Sequence, residues 1–582
     1  NTVLNLTDTL FTDNIASAYG AGASSLSAQA YGGGIYANNT VLNLTDTLFT
    51  DNIASANAIG TPSALHYESE KGGALFITNN SKLTYTISDN AAALRKTVTC
   101  SGNTASEGGF LYLENSTADF VIGSNTKLMI ADSIAGSGTI TKSGADMEIS
   151  AAIADSNIRW TVATGLLELS TVARTINLNN WTIGTDAMLR LSALNDTVNM
   201  STDKKIGILD LGGGSDVINT GGYSLSDGQL LVSTLTFTGG GHVSSEISTR
   251  TEDASFDITL ANVVLDSNIS GGNGDDIIRI TQESTVGGIM NLGDGDNRIT
   301  GTADVTFRSG LTLGKGDDTL SLTNATFASA VTLGDGNNSL TATGKAQFSG
   351  DVTGGKGRDT FTSKEITFDK KLDLGDGLNS ITATGNAEFK GQVTLGKDKD
   401  ALNFSDVVFE NTLSLGDGDN TLTSTGEASF TSVSAGCGND VFNLSSAGFS
   451  GALDLGDGDN SITVTSSLTC FDSVTAGAGN DTINLTGSDN VSTFSGMVDL
   501  GLGENYLYIE GNVTDNIDFM IHEGGRTTAV VYRGASINGK TVSVYSRPDA
   551  NLKALTLDWS SFSGDEALDK VRILISSDAT FS

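Results

Sequence analysis

Acidic residues cluster in short glycine-rich loops of the second half of the chain, where their oxygen atoms could bind a hard cation. The densest set lies in "GGNGDDIIR" (271–279), "LGDGDNRIT" (292–300) and "LGKGDDTLS" (313–321). Divalent cations accept mixed shells of carboxylate, amide and backbone oxygens. The residues that such chemistry would use are Asp275, Asp276, Asp294, Asp296, Asp317 and Asp318.

One position of these loops alternates strictly between aspartate and asparagine. If successive loops stack, a column of bare carboxylates would repel itself, whereas an Asn amide can donate to the Asp oxygens above and below it. The alternation predicts a structural ladder, and two interpretations stay open: a scaffold that binds nothing, and a column that also holds cations. Four residues after the first glycine of each loop, the ladder residues are Asp276, Asn297, Asp318, Asn338, Asp359, Asn379, Asp400, Asn420, Asp440, Asn460, Asp481 and Asn505.

A second position, one residue after the first glycine, alternates in charge. Exposed ion pairs contribute only about 0.2–1 kcal/mol each. Their pattern is more informative than their energy, because it indicates that consecutive loops touch in register and that the repeating unit is a pair of loops. The alternating residues are Asp294, Lys315, Asp335, Lys356, Asp376, Lys397 and Asp417.

The spacing of the loops predicts the elements that position them. First glycines recur every 20 or 21 residues from Gly272 to Gly477, with a last step of 24 to Gly501. Between them lie alternating runs such as "NSLTATG", which have the period of a β-strand. This pattern predicts an elongated all-β molecule, a parallel β-solenoid (β-helix) of about 20 residues per coil. One aromatic residue per coil is predicted to form an internal stack: Phe307, Phe327, Phe348, Phe368, Phe389, Phe409, Phe430, Phe449, Phe471 and Phe494.

A looser repeat fills the first part of the chain. Residues 1–18 recur identically at 39–56, and "FTDNIAS" (11–17) matches "CSGNTAS" (100–106). Cys100 stands where the other copies have phenylalanine, so we expect it to be a small buried hydrophobic residue. The chain is thus divided into 1–125 with this repeat, 126–200 as a β-helix segment with a motif of its own described below, 201–270 with irregular β-helix coils, 271–510 with twelve glycine repeats, and 511–582 as a C-terminal cap.

Two motifs in order resemble those of secreted bacterial passenger domains. "FTDN" followed by "GGGIYA" (32–37) resembles the FxxN and GGA-I/L motifs of chlamydial polymorphic membrane proteins. "GSGTITKSGADMEIS" (136–150) resembles the passenger-associated repeat of autotransporters, with Ile140 and Ile149 at leucine positions. The resemblance implies a type V secreted passenger, a right-handed β-helix displayed outside a Gram-negative cell, and such passengers are often adhesins. By this resemblance, we expect contact with the outer membrane only through a transmembrane barrel outside this chain, and a leader that also lies outside it.

The segment "GGNGDDIIR" is similar to the nonapeptide of calcium-binding RTX proteins. That resemblance implies calcium as the cation of the six aspartates, and no other cofactor is expected. This chain departs from the RTX pattern, because its loops come once per 20 or 21 residues and every second loop has Asn at the key Asp position.

Composition limits the partners. The 582 residues carry a net charge of −36, which disfavours nucleic acid and anionic membranes as partners. Three cysteines do not make a disulfide framework, and no apolar run is long enough to span a bilayer as a helix. With no leader before Asn1, the chain is expected to be a mature protein or a fragment.

The sequence favours a protein without catalysis. β-Helices also include polysaccharide lyases and hydrolases, but the acids here follow the repeat, whereas a catalytic pair usually breaks one. His66, His242 and His522 are far apart, which disfavours a zinc site or a catalytic triad. Trp160 and Trp181 are expected in the core or covering an edge rather than as a sugar platform.

The main prediction is therefore a non-enzymatic adhesin or surface-coat rod on the cell surface, in the outer membrane or secreted. Its partners would be a host-cell or matrix receptor, a glycan, or further copies of itself. A structural subunit of a secreted filament or surface layer is the alternative, and a polysaccharide-active enzyme is a minor one. No catalytic residue is predicted.

Overall fold

The computed structural model confirms the predicted all-β parallel solenoid, with about 21 residues per coil. It describes residues 2–21, 26–59, 66–90, 95–151, 153–154, 157–492, 495–513, 517–521, 526–531, 542–546, 555–558 and 572–575. None of these residues belongs to an α-helix long and apolar enough to cross a membrane. The chain forms two compact units, which we call the N-terminal unit (1–273 with 277–284) and the C-terminal unit (274–276 with 285–582).

Strands of the N-terminal unit stack each copy of a sequence repeat on the next. Leu4 pairs with Leu42 and Leu10 with Leu48, so the identical segments lie in register in parallel strands. The strands are Thr2–Thr7, Leu10–Thr12, Ile15–Ala21, Leu26–Tyr31, Ile35–Asn38, Thr40–Thr45, Leu48–Thr50, Ile53–Ile59, His66–Lys71, Leu75–Thr78, Lys82–Ile87, Lys96–Cys100, Leu111–Ile130, Ile134–Ile149, Ile153–Ala154, Ile158–Val162, Gly165–Leu169, Thr175–Asn177, Trp181–Ile183, Ala187–Arg190, Thr197–Asn199, Lys204–Lys205, Ile208–Asp210, Ser215–Asn219, Leu225–Ser226, Gln229–Val232, Thr234–Thr238, His242–Val243, Glu246–Thr249, Asp257–Leu260, Val264–Leu265, Ile269–Ser270 and Ile277–Ile280. A short 3₁₀ turn covers Leu178–Asn180.

Side-chain ladders reinforce this stacking. The Asn14 amide donates to Asn52 at 2.7 Å, Asn52 donates to Asn103 at 2.8 Å, and Asn103 donates to Asp132 at 2.8 Å. Cys100 is fully buried, as expected from the repeat, and its Sγ lies 3.5 Å from the Tyr85 hydroxyl. Because amides both donate and accept, an Asn column can continue through any number of coils.

Coils of the C-terminal unit begin as three short strands and then merge into longer ones. Thr319–Leu322 pairs with Ser339–Phe348, and further along one strand, Thr421–Cys437, runs through most of a coil. The strands, from the division of the units onward, are Ser284–Val286, Met290–Asn291, Arg298–Gly301, Val305–Phe307, Leu311–Thr312, Thr319–Leu322, Ala325–Phe327, Val331–Thr332, Ser339–Phe348, Val352–Lys356, Thr360–Phe368, Leu372–Asp376, Ser380–Phe389, Val393–Thr394, Ala401–Ser414, Thr421–Cys437, Val441–Asp457, Ser461–Thr475, Thr482–Ser492, Met497–Asp499, Glu504–Val513, Ile517–Ile521, Arg526–Val531, Val542–Ser546, Leu555–Asp558 and Arg572–Ile575.

The predicted phenylalanine stack is present in the core of this unit. From Phe307 to Phe471, each ring lies 4.6 to 5.5 Å from the next, with ring planes within 15° of parallel. Phe494 lies outside the described residues. The ring separation matches the spacing of neighbouring β-strands, so each coil adds one ring to the stack.

Parallel pairing continues past residue 510, where the sequence repeat ends. Arg526–Val531 pairs in parallel with Glu504–Val513, and Val542–Ser546 pairs with Ile517–Ile521. The last described pair, Leu555–Asp558 with Arg572–Ile575, is antiparallel. The predicted cap thus adds coils that lack the glycine signature before the chain reverses direction.

Candidate functional site: the Asp–Asn column

The alternating Asp and Asn residues form one buried column in the C-terminal unit. Every member from Asp276 to Asn505 is at most 3% exposed. In coil after coil, the backbone N–H of a column residue donates to the side-chain Oδ1 of the residue one coil further on. These bonds measure 2.7 to 3.2 Å. The side chain of each coil therefore completes the backbone hydrogen bonding of the coil before it.

The Asn amide groups mainly bind backbone carbonyls of the glycine loops. Asn297 Nδ2 lies 3.2 Å from Gly293 O, 3.1 Å from Gly295 O and 2.9 Å from Leu313 O. Amide donation to an Asp carboxylate, which the sequence led us to expect in both directions, occurs toward the following coil, from Asn338 to Asp359 at 2.9 Å and from Asn460 to Asp481 at 2.9 Å. The loop carbonyls compete for the amide because they lie in the same coil.

Four aspartates of the column keep one oxygen without a partner. Oδ2 is buried and accepts no hydrogen bond in Asp318, Asp400, Asp440 and Asp481. Asp and Asn have the same shape and both accept through Oδ1, so Oδ2 takes the place that Nδ2 has in the Asn coils. By this equivalence with Asn, we expect Oδ2 to face the loop carbonyls, and two oxygens in contact repel each other unless a proton or a cation lies between them.

Burial raises the pKa of these carboxyl groups. The pKa rises to about 7 for Asp318 and Asp400, and to about 6 for Asp359, Asp440 and Asp481, because burial penalises the charged form more than the Asn partners stabilise it. A carboxyl group in this range exchanges its proton near neutral pH. The column can thus hold protons near neutral pH.

Glycine is required where the loops stack on each other. Gly316 has a φ of +136°, and a Cβ there would lie 2.2 Å from Gly295 O of the previous coil. Gly336 has a φ of +127° and would meet Gly316 O at 1.9 Å. No side chain fits at these distances, so the glycines permit the close approach that the column needs.

The six predicted calcium ligands divide between two environments. Asp276 and Asp318 belong to the buried column. The other four lie on the loop surface: Asp275, Asp296 and Asp317 each accept a backbone N–H from the next coil, and Asp294 lies 3.3 Å from Lys315 Nζ. In the described part of the chain, no three His, Cys, Asp or Glu side chains converge as a metal-binding group. A cation in the column would therefore be held by one carboxylate oxygen and backbone carbonyls, a donor set that hard cations accept.

A related aspartate in the N-terminal unit, Asp216, was missed by the sequence reasoning. Asp216 follows Gly212 by four residues in "LGGGSDVIN" (211–219), the spacing of the column, and it accepts the backbone N–H of Asp196 at 2.8 Å. Its Oδ2 is also buried without a partner, and burial raises its pKa to about 7. The glycine spacing was the signal that could have identified it.

A groove of about 810 Å³ lies on the flank of the C-terminal unit. Side chains from successive coils line it, among them Lys345, Glu365, Asp406 and Glu427, together with the exposed Val408. None of the three acids has an ion-pair partner among the described residues, although Glu427 N donates to Asp406 at 2.8 Å. The groove is therefore acidic and spans several coils.

The remaining candidate residues occupy ordinary positions. His242 is exposed and lies 3.0 Å from Asp266, while the side chain of His66 and all of His522 fall outside the described residues. Trp160 and Trp181 are buried and stack at 5.2 Å. Comparison with models of known protein families, with curated proteins and with solved structures gave no match.

Proposed function

We propose that this chain is an extracellular, surface-displayed β-solenoid passenger that acts as a non-enzymatic adhesin or surface coat. The observation that carries the proposal is the acidic flank groove, which spans stacked coils and offers a binding surface along a repetitive scaffold. The motif resemblances in the first third of the chain support the extracellular location. The groove acids Glu365, Asp406 and Glu427 favour a basic segment of a receptor or matrix protein.

The test uses beads coated with the full chain and cultured epithelial cells. Wild-type beads should bind, poly-lysine should compete, and the triple variant E365Q/D406N/E427Q should bind several-fold less, because the loss of three negative charges weakens attraction to a basic surface. The matched control E246Q/E252Q/E283Q removes three exposed acids elsewhere and should bind like wild type. Equal binding by both triple variants would contradict the assignment of the groove.

Location and the alternative functions are tested separately. Protease treatment of intact producing cells should release peptides of this chain, and full protection would overturn the surface display. A filament or surface-layer subunit would instead assemble with rising concentration in analytical ultracentrifugation. A polysaccharide-active enzyme would release reducing ends or unsaturated products from acidic polysaccharides.

We also propose that the Asp–Asn column binds calcium, on the strength of the unpartnered Oδ2 atoms. Bound calcium would neutralise the buried carboxylates and join them to the loop carbonyls. Titration calorimetry at about pH 8 should show calcium binding by the wild type, and binding should weaken at about pH 6, since the ion competes with protons at these groups. The variant D318N/D400N/D440N/D481N should lose most of that heat. Unchanged binding would place any calcium on the exposed loop acids instead.

A further inference from the structure

A second cavity lies in the N-terminal unit, far in sequence from the column and the groove. It encloses about 480 Å³ between the strands Ile158–Val162, Gly165–Leu169 and Thr175–Asn177. This volume is typical of small-molecule sites. The lining is mostly apolar, with Ile153, Ile158, Leu169, Val172, Ile176 and the two stacked tryptophans, and its polar residues include Arg174 and Asn177.

Arg174 is the unusual member of this lining. The residue is 6% exposed, and its Nε is buried without a hydrogen-bond partner. Nη2 donates to Ala151 O at 2.7 Å and more weakly to Ile149 O at 3.4 Å, which fixes one side of the guanidinium. No carboxylate of the described residues forms an ion pair with it. A buried cation that lacks a counter-ion is costly unless an anion joins it.

Asp196 is the acid whose charge acts on Arg174, but it forms no ion pair with the guanidinium among the described residues. Asp196 accepts the backbone N–H of Arg174 through Oδ1, and its Oδ2 accepts the Ser192 backbone N–H at 2.9 Å and the Ser192 hydroxyl at 3.0 Å. Its carboxylate is therefore directed to backbone and hydroxyl groups. The guanidinium thus keeps Nε without a hydrogen-bond partner, beside a cavity lined by apolar side chains and by Thr175, Asn177, Asn180 and Asn199.

We infer that this cavity binds a small carboxylate with an apolar body, its carboxylate against Arg174 and its body against the isoleucines, Leu169 and Val172. Arginine is suited to the task because its planar donors match carboxylate geometry. The tryptophan rings face each other and present little free face, which disfavours a stacked sugar ring. Val172 is 38% exposed, so it marks the side from which a ligand can enter.

The test titrates the full chain with octanoate and follows tryptophan fluorescence and calorimetric heat. Octanoate should bind at one saturable site, and octanamide, which has the same body without the charge, should bind about tenfold or more weakly. 3-Phenylpropionate tests whether an aromatic body is also accepted. Glucuronate should not compete, and a sugar acid that binds in place of octanoate would overturn the apolar part of the inference.

Three variants assign the site. R174M should weaken octanoate binding about tenfold or more. R174K keeps the charge but loses the planar guanidinium donors, so it should have an intermediate effect. V172F should obstruct the cavity without removing the cation, so it also keeps the inference testable if R174M fails to fold. The matched control R159K changes an exposed arginine of the neighbouring strand and should bind like wild type. Octanoate binding that is absent, or that is unchanged in folded R174M and V172F, would overturn the inference.

Discussion

The backbone N–H of Asp318 donates to the side-chain oxygen of Asn338, one coil further along the chain, at 3.2 Å. Asn338 in turn donates its amide to Asp359 in the next coil at 2.9 Å. A side chain of the next coil thus accepts a backbone hydrogen bond from the coil before it. These contacts link the column residues of consecutive coils along the C-terminal unit. The properties of this column lead to the first two predictions.

Replacing Asp318 by Asn should stabilise the protein in metal-free buffer at about pH 8. The new amide would donate to the carbonyls of its own loop, as Asn297 does, and would remove a buried oxygen without a partner. We expect a gain of about 1 kcal/mol in the free energy of unfolding, measured by urea denaturation. The reciprocal control N297D should lose stability. A D318N protein that is less stable than wild type would contradict this account.

Stability should fall as the pH rises from about 5 to about 8 without divalent metal. The folded state raises the pKa of Asp318 and Asp400 from 3.8 to about 7. Between these two pH values, the folded state therefore holds more protons than the unfolded chain. Their stabilising contribution is complete below 3.8 and is lost as the pH rises through about 7. Asp369 and Asp376 have lowered pKa values through Lys390 and Lys397, so their contribution is lost toward acid.

Melting curves followed by circular dichroism across this pH range would measure the effect. The quadruple variant of the unpartnered aspartates should show a flatter profile than wild type. A melting temperature that rises steadily from pH 5 to pH 8 in wild type would show that these carboxyl groups are not protonated in the folded state.

Removing one ring from the core stack should destabilise the C-terminal unit strongly. Phe348 is fully buried between Phe327 at 4.8 Å and Phe368 at 4.6 Å. F348A should cost about 3–5 kcal/mol in unfolding free energy, and F348L less, because a cavity remains in a continuous stack. V408A, at an exposed position, should change little. Equal effects of F348A and V408A would argue against a packed stack.

Cys437 and Cys100 should differ in reactivity toward a thiol reagent. Cys437 is exposed and should react in the native protein, although Asp417 beside it raises the pKa of the thiol and slows the reaction. Cys100 is buried, and burial raises its pKa, so it should react after unfolding. D417N should speed labelling of Cys437. Rapid native labelling of Cys100, located by mass spectrometry of peptides, would contradict its burial.

Much of the C-terminal unit could be predicted because its repeats are short and their spacing is regular. Two patterns indicated the register of the stacked coils, which depends on the sequence period alone. They are the regular spacing of Phe307 and Phe327 and the alternation of Asp318 with Asn338. The direction of the hydrogen bonds could not be predicted in the same way. Whether the Asn297 amide meets a carboxylate or a loop carbonyl depends on the backbone angles of the glycine loop.

The cavity at Arg174 had no signature in the sequence. It lies where coils are irregular, and its residues come from six short strands and the turns between them. A buried arginine without a counter-ion is recognised from burial and missing partners, which no spacing rule reports. Asp216 is an intermediate case. Its spacing from Gly212 matches that of the column, but the repeat around it is too irregular to predict a buried aspartate.

The strict alternation of the column also imposes a parity rule on the length of the C-terminal unit. Gain or loss of two neighbouring coils keeps the alternation, whereas gain or loss of one internal coil places two like residues in consecutive coils, either two buried carboxyl groups or two asparagines. A coil that docks one step out of register during folding meets the same mismatch. The alternating position therefore disfavours misaligned coils within one molecule. It also favours gain or loss of coils in even numbers.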